Sequence, residues 1–142
     1  MLPVYAGDVR LYQMGTVESI KKNDDFRACY RLGKSYAGKY LVVYVMNNGT
    51  DRSRIGISVS KKVGNSVVRH RIKRLVHESY RLHEHTFDSG SDIVVVGRRS
   101  ADGASYHEIE RALLFLLKKA GIYHGESEND ERNHAGRDSV LS

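Results

Sequence analysis

Apolar residues recur along this chain at two spacings, one helical and one extended, and their order sets the expected elements. Asn23 is placed to cap a helix, with Asp24 and Asp25 against the positive end of its dipole. Phe26, Cys29 and Tyr30 follow at helical spacing, and Gly33 supplies a stop. Residues 40–45 are β-branched and aromatic, which predicts a strand. Asn47-Asn48-Gly49 reads as a turn from which 54–60 returns as a second strand. There Ile55, Ile57 and Val59 point one way while Gly56, Ser58 and Ser60 point the other. One face feeds the core; the small, polar one lets a helix or a nucleic-acid backbone come close.

Gly64-Asn65-Ser66 break that strand, and the spacing predicts a helix over about 67–82. Its apolar stripe is Val68, Ile72, Leu75, Val76 and Leu82. Residues 92–97 form a short apolar run suited to a buried strand. Ser105 and Glu108 have capping-box spacing and open a helix that buries Ile109, Ala112, Leu113, Leu116 and Leu117 and ends at Gly121. No internal repeat interrupts this series of helix, strand, strand, helix, strand, helix, which reads as a mixed α/β sandwich with helices packed on one small sheet. Residues 1–19 show no clear period and are expected to form a loosely ordered arm. The polar, acidic-leaning C-terminal stretch is expected to be disordered.

Charge changes the picture. The chain has 142 residues with 40% hydrophobic content, enough for one compact domain, and a net charge of +6. Its sequence pI is near 9.5. Nine basic residues stand between Arg52 and Arg81 against one acid, Glu78, so this window alone carries +8 and the rest is net negative. A polyanionic partner follows. Cys29 is the only cysteine, which excludes an intramolecular disulfide and a multi-cysteine zinc site and fits a reducing, cytoplasmic compartment. The apolar runs 41–46 and 112–117 are too short to span a bilayer, and no secretory signal opens the chain.

On a helical wheel His70, Lys73, Arg74, His77 and Arg81 lie opposite the apolar stripe, with Arg69 and Arg71 at its edges. Lys61 and Lys62 immediately precede this helix. Arginine offers planar bidentate donors to phosphate oxygens and lysine a mobile point charge. An ordinary solvated helix face mixes acids with bases at four-residue spacing; here only Glu78 offsets the positives. RNA or DNA binding is the stronger reading.

The stretch 54–75, RIGISVSKKVGNSVVRHRIKRL, closely resembles the signature of the bacterial ribonuclease P protein family: a G-x-S-V-S-K-K-x-G-N strand end followed by an arginine-rich "RNR" helix. Lys21-Lys22-Asn23-Asp24-Asp25-Phe26, Tyr30 and Gly33-Lys34-Ser35 resemble its first helix and the turn after it. Asp92-Ile93-Val94-Val95-Val96 and the helix over 105–121 resemble its C-terminal half. The resemblance covers about 20–122. It implies an RNA-binding domain there, flanked by the arm 1–19 and a disordered polar tail 123–142.

The resemblance implies an α+β fold of order α-β-β-β-α-β-α: about four mixed strands, three helices and a left-handed βαβ crossover, against the usual hand. Residues 35–39 would supply the fourth strand. It implies that the chain is the protein subunit of a ribonucleoprotein whose RNA subunit, with bound Mg2+, removes the 5′ leader of precursor tRNA. Lys61, Lys62, Asn65, Arg69, His70, Arg71, Lys73, Arg74, His77 and Arg81 would bind the ribonuclease P RNA. Phe26, Tyr30, Tyr44, Ser58 and Ser60 would line the leader cleft. For Phe26 and Tyr30 core packing is an equal alternative, and the side taken by Tyr44 depends on register. The resemblance implies no catalytic residue, metal or cofactor held by the protein alone, no obligate protein partner and no membrane. Two positions depart from the pattern: His70 stands where the family usually has asparagine and His77 where arginine is common. A neutral imidazole donates one hydrogen bond without a full charge, which makes Arg69 and Arg71 the firmer contacts.

Nothing in the residues themselves suggests a protein active site. Carboxylates are sparse near the basic segment, and the seven histidines are scattered. His83 and His85 read as a surface helix end, and Ser58 and Ser60 lack an acid partner for nucleophilic catalysis. A helix-turn-helix regulator would need a second helix where 54–60 reads as strand, and a protein-only nuclease would need clustered carboxylates or a histidine pair. A ribosomal or general structured-RNA-binding role is the remaining alternative.

Overall fold

The structure, a computed structural model, describes residues 17–125. Its elements are α1 (Asn23–Leu32), β1 (Lys34–Ala37), β2 (Leu41–Asn47), β3 (Arg54–Val59), α2 (Ser66–His83), β4 (Ser91–Gly97) and α3 (Tyr106–Lys119). Four strands form one sheet in the order β1-β2-β4-β3. β1 pairs antiparallel with β2, β2 antiparallel with β4, and β3 parallel with β4. Helix α2 is the crossover joining the parallel pair. Among the described residues no helix is long and apolar enough to cross a membrane.

The expected return of β3 alongside β2 does not occur. β4 lies between them, with Val43 opposite Val95 on one side and Ile57 opposite Val95 on the other. The composition of β4 explains its place: Ile93, Val94 and Val95 are fully buried, so both faces must be covered, as only a central strand allows. The Asn47-Asn48-Gly49 turn is real, with Gly49 N–H donating to Asn47 Oδ1 at 2.8 Å, but it leads away from β2. β1, implied by the resemblance alone, is present at the sheet edge.

Each face has its own core. Leu41, Val43, Ile55, Val59, Ile93 and Val95 face α2 and α3, meeting Ile72, Val76, Tyr80, Ile109, Leu113, Leu116 and Leu117. On the other face Val94 packs with Ile20 and Cys29, flanked by Phe26, Tyr44, Met46 and Val96. The alternation along β3 holds, and its small side is where α1 comes close. A Cβ on Gly56 would stand 2.6 Å from Phe26 Cζ, so only glycine leaves room for that ring.

Helix ends differ in part from expectation. Lys22, not Asn23, precedes α1, without a side-chain cap, and Asn23 is its first helical residue. Gly33 is extended; a Cβ there would lie 2.6 Å from Cys29 O, so close approach rather than left-handed backbone requires glycine. Asn65 caps α2, its Oδ1 accepting from Val68 N–H at 3.0 Å. Leu82 is 44% exposed, and Tyr80 takes its place in the stripe. The Ser105–Glu108 capping box forms in full. Residues 17–20 and 123–125 belong to the folded body: Ile20 N–H donates to Ile55 O at 2.9 Å, and Tyr123 bridges Phe87. The remainder of the expected arm and tail, residues 1–16 and 126–142, lies outside the described residues.

One buried ion pair ties these layers together. Asp92 is 2% exposed and accepts from Arg54 Nε at 3.0 Å, Arg54 Nη2 at 2.6 Å and Asn48 Nδ2 at 2.9 Å. Burial opposes its ionisation, but the Arg54 and Asn48 hydrogen bonds outweigh it and hold the carboxyl below its usual range. Arg54 also reaches Asp25 of α1 at 3.3 Å.

Candidate nucleic-acid interface

The basic segment begins where β3 ends. A turn at 60–63 closes with Val63 N–H donating to Ser60 O at 3.0 Å, leaving Lys61 and Lys62 exposed. Gly64 and the Asn65 cap then start α2, whose first turn carries no acid. On α2, His70, Arg71, Lys73 and Arg74 are exposed and His77 is half-buried. Arg69 and Arg71 are anchored: Arg69 Nε donates to Gly64 O at 3.1 Å and Arg71 Nη2 to Ala104 O at 2.8 Å. Each keeps further donors, now on a fixed guanidinium.

Arg81 does not join this row. Its side chain is 8% exposed and closed onto Glu78, with Nη2 2.5 Å from Oε2. The wheel had set it among the outward cations, but Glu78 one turn earlier draws it back against the body. The Arg81 hydrogen bonds hold the Glu78 carboxyl below its usual range, so it stays anionic and spent on Arg81. The hydrogen bonds of the segment's single acid therefore go to Arg81, while its charge acts more weakly on His77 and Arg74.

A groove of about 400 Å³ runs between this row and the edge of β3, lined by Ser19, Ile20, Phe26, Ile55, Gly56 and Ile57 opposite His70, Lys73, Arg74, His77 and Glu78. Phe26 thus serves both readings, half-buried against Gly56 and open to the groove. Tyr30 is 39% exposed and meets Tyr44 edge-on at 5.0 Å between ring centres. Pairing of Tyr44 with Val94 and of Ser58 with Val96 puts both on the α1 side of the sheet. The structure therefore gathers Phe26, Tyr30, Tyr44 and Ser58 on one face, and Ser60 stands exposed just past β3.

Three cations escaped the reading of the sequence. The register Val59 opposite Gly97 brings the residues after β4 beside Ser60 and the two lysines. Arg98 and Arg99 are exposed there with Lys39, and Arg98 Nη1 donates to Gly38 O at 2.9 Å. The signal was a basic pair directly after a buried strand, readable only once β3 and β4 were known to run parallel.

Other candidates carry less chemistry. A cavity of about 1150 Å³ lies between α3 and the end of α2, lined by Leu82, Leu114 and Phe115 among others; it reaches Lys39 but none of the basic-row residues of α2 named above. His83 there is paired with Glu110 at 2.8 Å. Among the described residues no group of three or more His, Cys, Asp or Glu could hold a metal ion. Cys29 is fully buried, and burial, aided by the Asp92 charge, pushes its thiol up to about 11, far from a nucleophile's range.

A parallel β3–β4 pair spanned by a basic helix, with an aromatic face at its side, is a specific arrangement, and comparison with known proteins identifies it. The profile of the family described as Ribonuclease P matches residues 14–121. The chain belongs to the ribonuclease P protein family. A ribonuclease P protein component of Clostridium botulinum is 51% identical over 105 residues, covering 73% of this chain and 95% of that one. The corresponding protein of Lachnoclostridium phytofermentans is 55% identical over 101 residues, covering 71% and 87%. The ribonuclease P protein of Staphylococcus aureus superposes with a TM-score of 0.70 at 40% identity, covering 75% of this chain and 98% of its own. That of Thermotoga maritima gives 0.67 at 34%, covering 72% and 96%.

Proposed function

We propose that this chain acts as the protein component of ribonuclease P, binding the catalytic RNA through its basic segment and the 5′ leader of precursor tRNA across the adjoining groove. The observation that carries this reading is the groove itself, which joins a row of exposed cations to an aromatic face. Lys61, Lys62, Asn65, Arg69, Arg71, Lys73 and Arg74 meet phosphates of the folded RNA, and His70 and His77 complete the row. Arg98, Arg99 and Lys39 extend it around the end of the sheet. Phe26, Tyr30 and Tyr44 give unpaired leader bases a surface for stacking, and Ser58 and Ser60 offer hydroxyls to its backbone.

Cleavage is hydrolysis of the phosphodiester at the 5′ end of the mature tRNA by the RNA subunit and its Mg2+. Among the described residues no side chain is placed as a nucleophile for this step and no group of side chains fits a metal ion. Glu78 is the one carboxylate lining the groove, and it is committed to Arg81. The protein's contribution is positioning and neutralisation of crowded phosphates, which lowers the Mg2+ needed for RNA folding and substrate binding. The compartment is the cytoplasm, in keeping with a single buried thiol. Processing of precursor tRNA, measured with the chain alone, with ribonuclease P RNA alone and with both at low Mg2+, tests the reading.

A further inference from the structure

We propose that His70 and His77 make RNA binding in this groove proton-coupled, so that affinity rises as pH falls through the neutral range. The inference rests on the reading of the groove as an RNA interface. The two rings stand seven residues apart, two turns of α2, with Arg74 between them, and all three line the groove. Their own helix adds Lys73 and the carboxylate of Glu78, which is tied to Arg81 at 2.5 Å. The other walls bring Ser19, Ile20, Phe26 and the 55–57 stretch of β3, none of them ionisable. The nearest acids of those elements are engaged elsewhere, Glu18 with Arg52 and Asp25 with Arg54. Histidine–carboxylate pairs among the described residues are made by His83, His107 and His124, not by these two.

Each imidazole therefore sits among cations, in a groove whose one carboxylate, Glu78, accepts its hydrogen bonds from Arg81 while its charge also acts on His77; neither ring has a hydrogen-bonded anion of its own. A phosphate backbone entering the groove supplies one, and the charged form of each ring is then favoured in the complex over the free protein. By linkage, RNA binding takes up protons and protonation strengthens RNA binding. Imidazole is the side chain whose charge ordinarily changes across the neutral range. Each ring that gains its charge neutralises one more phosphate, worth at most about eightfold in affinity at 0.1 M salt. Arginine would hold this charge at every pH; asparagine would never carry it.

The test is the affinity of the intact protein for ribonuclease P RNA at pH 6, 7 and 8, each over a salt series at fixed Mg2+. The expected result is tighter binding at pH 6 than at pH 8, by up to about sixty-fold for two rings, with a steeper salt dependence at pH 6. In His70→Asn/His77→Asn both the pH dependence and the steepening disappear. In His77→Arg binding at pH 8 tightens and about half of the pH dependence remains. Equal wild-type affinity at pH 6 and pH 8 overturns the proposal, as does a double variant that keeps the wild-type pH dependence. Lys73→Ala/Arg74→Ala separates the underlying reading: weaker binding at every pH with the pH dependence retained supports it. Unweakened binding would remove the groove from the RNA interface altogether.

Discussion

Arg74 and Arg81 lie on one side of the same helix in sequence, yet the structure gives them opposite roles, and a pair of alanine variants separates these. Arg74 is exposed in the groove row; the Arg81 side chain is 8% exposed and bound to Glu78 at 2.5 Å. Each phosphate neutralised by the protein releases condensed counterions and contributes about 0.9 to the slope of log K against log salt. Arg74→Ala should flatten that slope by about one and weaken binding about eightfold at 0.1 M salt. Arg81→Ala should leave the slope unchanged, because its charge is already compensated. Its cost falls on folding instead. Glu78 is 47% exposed, so solvent screens what the pair contributes, and the loss is about 1 kcal/mol, some of it lost packing of the arginine stem. Filter binding of ribonuclease P RNA from 0.1 to 0.5 M salt gives the slopes, and urea unfolding gives the stabilities. A flattening by Arg81→Ala equal to that of Arg74→Ala would refute the division of the helix drawn here.

Two other variants probe the frame that positions the groove. Asp92→Asn should cost about 2 kcal/mol near neutral pH, because it removes the buried charge partner of the partly buried Arg54 and leaves it only the more exposed Asp25. Since the folded state holds the Asp92 carboxyl below its ordinary value, its stabilisation is present above the unfolded value near 4. It disappears as pH falls through the folded one. Urea midpoints should therefore drop less on acidification in Asp92→Asn than in wild type, and parallel acid profiles would contradict this. Gly56→Val places side-chain atoms where Phe26 stands 2.6 Å from the nearest Cβ position. It should cost about 1–3 kcal/mol and displace the ring from the groove. Thermal unfolding together with leader crosslinking would show it, and unchanged values for both would contradict the close packing of α1 on β3.

Elements with both a period and an end signal were legible in the sequence. α3 carries a full capping box and a regular apolar stripe, and α2 carries the Asn65 cap and the Ile72–Val76 spacing. β4 announced its burial through a run of β-branched residues. What was illegible depended on contacts between distant segments. β1, with the sequence KSYA, is mostly exposed at a sheet edge and shows no alternation to detect. The turn after β2 looked like a hairpin because local chemistry encodes a reversal but not the partner that follows it. Tyr80 replaced Leu82 in the core, where its ring lies 5.2 Å from that of Phe87, a choice helical spacing alone leaves open. The site divided in the same way. The exposed cations of α2 followed from spacing, whereas the inward turn of Arg81 and the arrival of Arg98 and Arg99 beside Lys61 needed the folded backbone. The alignment of Tyr44 with Phe26 and Tyr30 turned on a single register, Tyr44 opposite Val94.

The central claim is that this chain assists an RNA catalyst and is not itself the nuclease. Reconstitution measures it most directly: 5′ processing of a precursor tRNA at low Mg2+ by the protein alone, by ribonuclease P RNA alone and by the two together. The account predicts no cleavage by the protein, little by the RNA under these conditions, and efficient, correctly placed cleavage by the mixture. Mg2+-dependent removal of the leader by the protein without RNA, or no gain on adding it to the RNA, would contradict the account.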